Sequence, residues 1–204
     1  MALIDCPECT HRVSHLAKAC PSCGFPVADH VRGENMGIGD KVEFGPYSWI
    51  VLEKREGKAL IIAEDVLRRN GGIEFIPYHS GYEAVTWEDC SLRKWLNSSF
   101  LERFTAEERG RIVLSSLKND DNPSFGTEGG ADTEDRVFCL SIAEAHNFMN
   151  VTQRGASDYW WLRSPGRFTT LGADVYSDGG VNESGWSVIS DELGVRPALW
   201  LTLR

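Results

Sequence analysis

The sequence predicts an α+β chain with a small, separate module at its start. Three observations carry this. Four of the six cysteines fall within the first 23 residues. Apolar runs of strand character alternate with segments that open on helix-capping signals. The last 45 residues, from Trp160 onward, combine turn signals with small apolar residues at wide intervals: Ala173, Val175, Val181 and Val188.

A chain of 204 residues suits one domain of about 150 residues plus a small module. Its 42% hydrophobic content and seven Trp supply a real core. A net charge of -9 argues against the broad basic face that nucleic acid requires, while leaving room for a small local patch. Met1-Ala2-Leu3-Ile4 runs straight into Asp5-Cys6 with no apolar h-region, and no run approaches ~18 apolar residues. The expectation is a soluble cytoplasmic protein with no membrane partner.

The elements follow in order. Cys6-Pro7-Glu8-Cys9 and Cys20-Pro21-Ser22-Cys23-Gly24 are two C-P-x-C knuckles ten residues apart. Two residues between thiols let one tight turn aim both sulfurs at a point, and two such turns complete a tetrahedral site of the kind zinc accepts. A redox pair would need a surrounding βαβ unit, so Cys6, Cys9, Cys20 and Cys23 are read as ligands of a structural zinc. So short a segment buries too little apolar surface to fold alone, and the metal supplies much of its folding free energy. His11, His15 and His30 lie nearby but are outcompeted by four thiolates. The module, over 1–30, resembles the short zinc ribbons at the start of many bacterial proteins. Docking another protein and associating with nucleic acid both stay open as its role. Arg12, Lys18 and Arg32 against Asp5, Glu8, Asp29 and Glu34 disfavour the second. A linker over 31–40 follows, its pattern broken by Gly33, Gly37 and Gly39.

The main domain is read over 41–204. Lys41 to Phe44 alternates as a strand. Trp49–Leu52 and Ala59–Ala63 form a buried hairpin around a turn containing Gly57. A short helix over Asp65–Arg69 is ended by Asn70-Gly71-Gly72. Another starts near Leu92, capped by Ser91, with Leu92, Trp95, Leu96 and Phe100 on one face. Thr105 and Ser141 each open a capping box, the second before a helix ending near Met149. The polar stretch Asn119 to Asp135 reads as a mobile loop. Arg136–Leu140 reads as a strand, and Cys90 and Cys139 as packing thiols. Turns are expected at Ser177–Gly180, Ser184-Gly185 and Asp191–Gly194.

Four blocks together resemble a known bacterial family. They are Thr86 to Asn97 with Phe100 and Phe104, Val137 to Glu144, Trp160 to Gly166, and Gly194-Val195-Arg196-Pro197-Ala198-Leu199. The family is the C-type-lectin-like domain related to formylglycine-generating enzymes. The resemblance, covering roughly Gly37 to Arg204, implies a C-type-lectin-like fold for the main domain. The carboxyl end is also similar to the variable proteins of diversity-generating retroelements, in which adenine-rich codons are rewritten between fixed Ala, Val and Gly positions. Ala173, Val175, Gly179, Val181, Gly185 and Val188 match that frame. The resemblance then implies a ligand-binding display set of Arg167, Phe168, Thr169, Thr170, Leu171, Asp174, Tyr176, Ser177, Asp178, Asn182, Glu183, Ser184, Trp186, Ser187, Ile189, Ser190 and Asp191. Glu183 and Trp186 cannot arise from AAC or AAT by changing adenines alone, so a close relative that is not diversified fits equally.

Phe168, Tyr176 and Trp186 are the sharpest members, since large aromatics in polar, turn-rich surroundings are binding anchors. Trp160 and Trp161, adjacent on a strand, should face opposite sides, one into the core and the other beneath the binding face. Arg163 and Arg196 are read as ties between loops. No calcium-loop spacing accompanies the tail carboxylates. The expected ligand is a protein or a glycan, bound without catalysis. The alternatives are a metal-dependent oxidase-like enzyme of the formylglycine-generating fold and a nucleic-acid-associated zinc-ribbon protein. No Cys follows Cys139, and only His79 and His146 lie beyond the ribbon, too few for a three-His site.

Overall fold

The structure, a computed structural model, describes residues 3–27 and 36–203. Near the start, β1 (Leu3–Asp5) and β2 (Arg12–Ser14) pair antiparallel with Ile4 opposite Val13. The two knuckles close in the same way. The Cys6 N–H donates to His11 O and Thr10 N–H to Cys6 O; Cys20 N–H donates to Phe25 O and Gly24 N–H to Cys20 O. Each ends on a left-handed residue, Thr10 at φ 59° and Gly24 at φ 79°, a conformation that glycine alone adopts without steric penalty. Cys6, Val13, Cys20 and Val27 form a small core of their own.

Residues 28–35, which hold His30 and half of the expected linker, lie outside the described residues. Met36 to Asp40 are not linker at all. Gly39 N–H donates to Val51 O, Val51 N–H to Asp40 O, and Lys54 Nζ to Met36 O. Met36 also packs on the main core.

The main body is α+β. Its larger sheet comprises β3 (Lys41–Phe44), β4 (Tyr47–Arg55), β5 (Lys58–Ala63) and, far along the chain, β13 (Ala198–Thr202). The spatial order is β13-β5-β4-β3, antiparallel throughout. Glu56 and Gly57, both at positive φ, make the tight turn between β4 and β5. Asp65–Arg69 is not a helix. Arg68–Arg69 (β6) pairs with Gly72–Ile73 (β7), and Asn70-Gly71, at φ 52° and 83°, forms the turn. An Asn-Gly pair selects a hairpin because both central residues tolerate positive φ.

The helix α1 spans Ser91–Trp95 and continues as a wider π turn over Leu96–Phe100. Its cap is Cys90, whose sulfur accepts from Arg93 N–H, and not Ser91. Both remaining capping boxes form: Thr105 starts α2 (Ala106–Arg111), and Ser141 starts α3 (Ile142–Phe148). A third, Asn150 with Gln153, starts α4 (Val151–Arg154). Cys90 and Cys139 are buried; burial pushes the Cys90 thiol up to about 12 and Cys139 higher still.

The smaller sheet has the order β10-β11-β12, from Trp160–Pro165, Leu171–Val175 and Val181–Ser187. Every residue of β10 is buried. Trp160 and Trp161 are therefore both core, because both faces of this strand are covered; their indole N–H groups donate to Arg154 O and Ile76 O. Arg136–Leu140 makes only an isolated bridge, Phe138 to Ala198. The stretch Asn119 to Asp135 is built, not loose. Ser115–Leu117 (β8) pairs with Thr133–Asp135 (β9), and Asn119, Asn122, Thr133 and Asp135 are buried. Asp135 accepts from Trp87 Nε1, Arg93 Nε and Thr133 Oγ1.

Candidate metal centre and ligand-binding surface

The two knuckles bring four sulfurs together. Cys6 Sγ lies 3.6 Å from Cys23 Sγ and Cys9 Sγ lies 3.7 Å from Cys20 Sγ. All four are within 4.8 Å of one another. These separations exceed a sulfur–sulfur bond of about 2.0 Å, and all four cysteines are free. Without a metal the thiols share their protons: burial works against the Cys20 thiolate, but the backbone amides of Cys23 and Ser22 and the neighbouring Cys9 thiol lower it, while, against the Phe25 amide, burial and the surrounding thiols raise Cys23. The cluster is thus a preformed donor set for one metal ion. It is closed on all sides by sulfur, so it has no open position for chemistry. His11 and His15 are not part of it, and among the described residues no other group of three His, Cys, Asp or Glu donors converges.

The expected display set sits on β11, on the edge strand β12 and on the loops at their ends. Arg167, Phe168, Ser177, Asp178, Ser184, Trp186, Ile189 and Asp191 are exposed, and Thr169, Thr170, Leu171, Tyr176, Asn182, Glu183, Ser187 and Ser190 half-buried. Phe168 is 59% exposed, Ile189 46% and Trp186 40%. Beneath them Ala173, Val175 and Val188 are fully buried.

Asp174 departs from the set. It lies on the middle strand, between Trp161 and Asn182, and has no exposed surface. Asn182 Nδ2 donates to its Oδ1 at 2.8 Å, while Oδ2 has no partner among the described residues. Burial, only partly opposed by that hydrogen bond, raises its pKa to about 7. Asn182 is correspondingly pinned between Asp174 and the Gly185 amide.

The sheet separates the three leading aromatics. Leu171 pairs with Ser187 at one end and Val175 with Val181 at the other. Phe168 and Trp186 therefore belong to the first end and Tyr176 to the second, five strand residues or roughly 17 Å away. At the first end the Arg167 guanidinium lies 5.7 Å from the Phe125 ring centre and 5.5 Å from Phe168. Glu183 accepts from Ser124 Oγ and faces His146 at 3.7 Å. At the second end Tyr176 packs on Tyr159 with ring centres 5.1 Å apart.

Ser184-Gly185 is not a turn but a bulge inside β12, where the register with β11 shifts. Gly185 has φ 80°, and a Cβ there would meet Gly172 O at 2.6 Å and Gly166 Cα at 2.8 Å. Glycine is needed because three backbones meet at this point.

Loops outside the expected set support it. Asn122 Nδ2 donates to Pro165 O and Glu183 O, and its Oδ1 accepts from the Ser124 and Phe125 amides. Thr127 Oγ1 donates to Arg167 O. His79 N–H donates to Val188 O, and its ring bridges Ser91 and Glu83. Sequence patterns held no sign of the links to Pro165, Glu183, Arg167 and Val188, because each joins residues far apart in the chain. Arg163 and Arg196 are ties, as expected. Arg163 holds Glu144 bidentately plus two carbonyls, and Arg196 holds four carbonyls, from Ala63, Glu64, Gln153 and Arg154.

Residues 56–203 match a family described as Domain of unknown function (DUF6273). The chain belongs to this family. No curated protein and no solved structure matches it. The DUF6273 match holds the whole display set, while the four cysteines precede it. No described helix is long and apolar enough to cross a membrane.

Proposed function

We propose that this DUF6273 protein is a cytoplasmic ligand-binding protein with a C-type-lectin-like main domain, tethered by a zinc ribbon. Its binding surface is the smaller sheet's edge and end loops. One observation carries the reading: fully buried Ala173, Val175 and Val188 hold a frame whose edge strand and loops expose Arg167, Phe168, Trp186 and Ile189. A rigid frame with solvent-directed aromatics supports recognition by a preorganised surface. The ligand class is a protein or a glycan. The chain is read as a variable protein of a diversity-generating retroelement, or a close non-diversified relative.

The metal is zinc. A tetrahedron of sulfurs about 2.3 Å from zinc has edges of about 3.8 Å, close to the 3.6 and 3.7 Å separations present. Cys6, Cys9, Cys20 and Cys23 hold it, its role is structural, and the ribbon docks a protein partner.

The test uses the two ends of the sheet separately. Binding is screened on protein and glycan arrays with the full chain, then with Trp186→Ala and Tyr176→Ala. One or both variants should lose the array hit with a melting temperature within about 3 °C of the parent, as expected for half-exposed side chains. A hit that survives both, or a collapse in stability, would overturn the reading. The genomic neighbourhood separately tests diversification: an adenine-rich near-copy of the tail beside a reverse transcriptase supports it.

A further inference from the structure

A second site lies on the larger sheet's side and shares no residue with the display set. A cavity of about 730 Å³ is lined by Pro46, Tyr47, Arg68, Arg69, Asn70, Trp95, Ser99, Glu102 and Arg103. That volume suits a small molecule. Its chemistry runs against the chain's net charge of -9, because three guanidiniums converge on it.

The three are not equivalent. Arg103 is committed to the protein. It holds the buried Glu74 with both nitrogens, at 2.7 and 2.6 Å, and donates to the Tyr47 hydroxyl at 3.0 Å. The Tyr47 oxygen thus accepts from Arg103 and keeps its own hydrogen to donate. Arg68 and Arg69 reach no side-chain carboxylate at hydrogen-bond distance among the described residues. Arg69 Nη1 stops 3.8 Å from Glu74 Oε1, and Arg68 Nη2 stops 3.9 Å from Asp65 Oδ2. Asp65 is already engaged by Ser157 and by the Val66 amide. Both guanidiniums stand on one tight hairpin, whose base is fixed by Leu67 N–H to Val195 O and Glu74 N–H to Leu67 O. Two guanidiniums with donors to spare in the lining of one cavity are a recognition element for an anion with more than two oxygens. A carboxylate is satisfied by one guanidinium fork, whereas a phosphate monoester presents three strong acceptor oxygens and close to two charges. The remaining wall mixes the apolar Pro46 and Trp95 with polar groups. Asn70, Ser99, Glu102 and the Tyr47 hydroxyl offer donors and acceptors spaced around the cavity, which is the complement of a hydroxyl-rich body.

We infer that this cavity binds the phosphate monoester of a small polyhydroxylated molecule, with Arg68 and Arg69 on the phosphate and Tyr47, Asn70, Ser99 and Glu102 on the hydroxyls. The experiment is calorimetric titration of the full chain at low salt with three probes: a hexose phosphate, inorganic phosphate and the uncharged hexose. The hexose phosphate should bind, inorganic phosphate should bind at least about tenfold more weakly, and the uncharged hexose should give no heat at about 10 mM. Arg68→Ala with Arg69→Ala should weaken the hexose phosphate about a hundredfold, roughly tenfold for each guanidinium–phosphate hydrogen bond removed. Both side chains are more than half exposed, so the variant keeps its melting temperature. Replacing both with Lys should restore only part of the affinity. Absence of binding by any phosphate probe, undiminished binding by the double variant, or equal affinity for the uncharged hexose would each overturn the inference. A surviving array hit at the display surface in the same double variant separates this site from the one proposed above.

Discussion

Replacing Asp174 with Asn should flatten the pH dependence of stability. The carboxyl is buried on the middle strand of the smaller sheet, with one oxygen held by Asn182 and the other without a partner among the described residues. Its pKa is raised from 3.8 to about 7 on folding. The folded protein therefore holds a proton that the unfolded chain releases between these values. This contribution is fully present below the unfolded pKa and is lost as pH rises through the folded one. At about 1.36 kcal/mol per pH unit, the parent should lose about 2.7 kcal/mol of stability between about pH 5 and about pH 8. For a chain of this size that is a fall of about 5–11 °C in melting temperature. The substituted amide keeps an oxygen for Asn182 and titrates nothing. The assay is urea or thermal unfolding of parent and Asp174→Asn across that range, and the signal is the difference between their slopes. Asp65 does not interfere. Its lowered pKa gives a contribution present above the unfolded value and lost as pH falls below it. Parallel curves for the two proteins would refute the reasoning and mean that the carboxylate is charged in the fold.

Other outcomes follow from the same geometry. Metal analysis should find one zinc per chain, lost in Cys6→Ser with Cys9→Ser. Because the ribbon and the main body have separate cores, chelation should unfold the ribbon and leave the main body's circular dichroism intact. A thiol reagent at about pH 8 should label the ribbon cysteines only after chelation, and Cys90 and Cys139 only after denaturation, since burial keeps both protonated. Asn122→Ala removes two donors from Pro165 and Glu183 carbonyls and should cost about 3 kcal/mol, read by urea unfolding. Arg163→Ala strands Glu144 and the Cys139 and Lys118 carbonyls and should cost about 3–5 kcal/mol by the same measurement.

What the sequence disclosed was local. The capping boxes at Thr105 and Ser141 are legible because donor and acceptor lie three residues apart. The four-cysteine centre is legible for the same reason, each knuckle being a single turn. The same logic would have found Asn150 with Gln153, and would have read Asn70-Gly71 as a hairpin instead of a helix stop. Other features depend on long-range partners. Asn119 to Asp135 looks loose because it is polar, yet Asn122 finds its acceptors 43 and 61 residues away. Asp174 looks solvent-directed because it stands between the apolar Ala173 and Val175, where alternation would turn it outward. Its burial comes from cover on both faces of β11, where Ala173, Asp174 and Val175 are all buried. Arg68 and Arg69 carried no sequence signal, since their importance rests on what Arg103 and Glu74 do with each other.

Arg167, Thr169, Thr170 and Glu183 are moored to the rest of the domain in one way. Thr127 grips a carbonyl at Arg167, Val85 one at Thr169, Val188 one at Thr170 and Asn122 one at Glu183. All four of these moorings address the main chain, which every amino acid shares; the Glu183 and Arg167 side chains add contacts of their own, to Ser124 and to Phe125. Substitution at these positions leaves the main-chain fastenings in place, so at Thr169 and Thr170 above all, a change of side chain is mechanically uncoupled from the architecture that carries it.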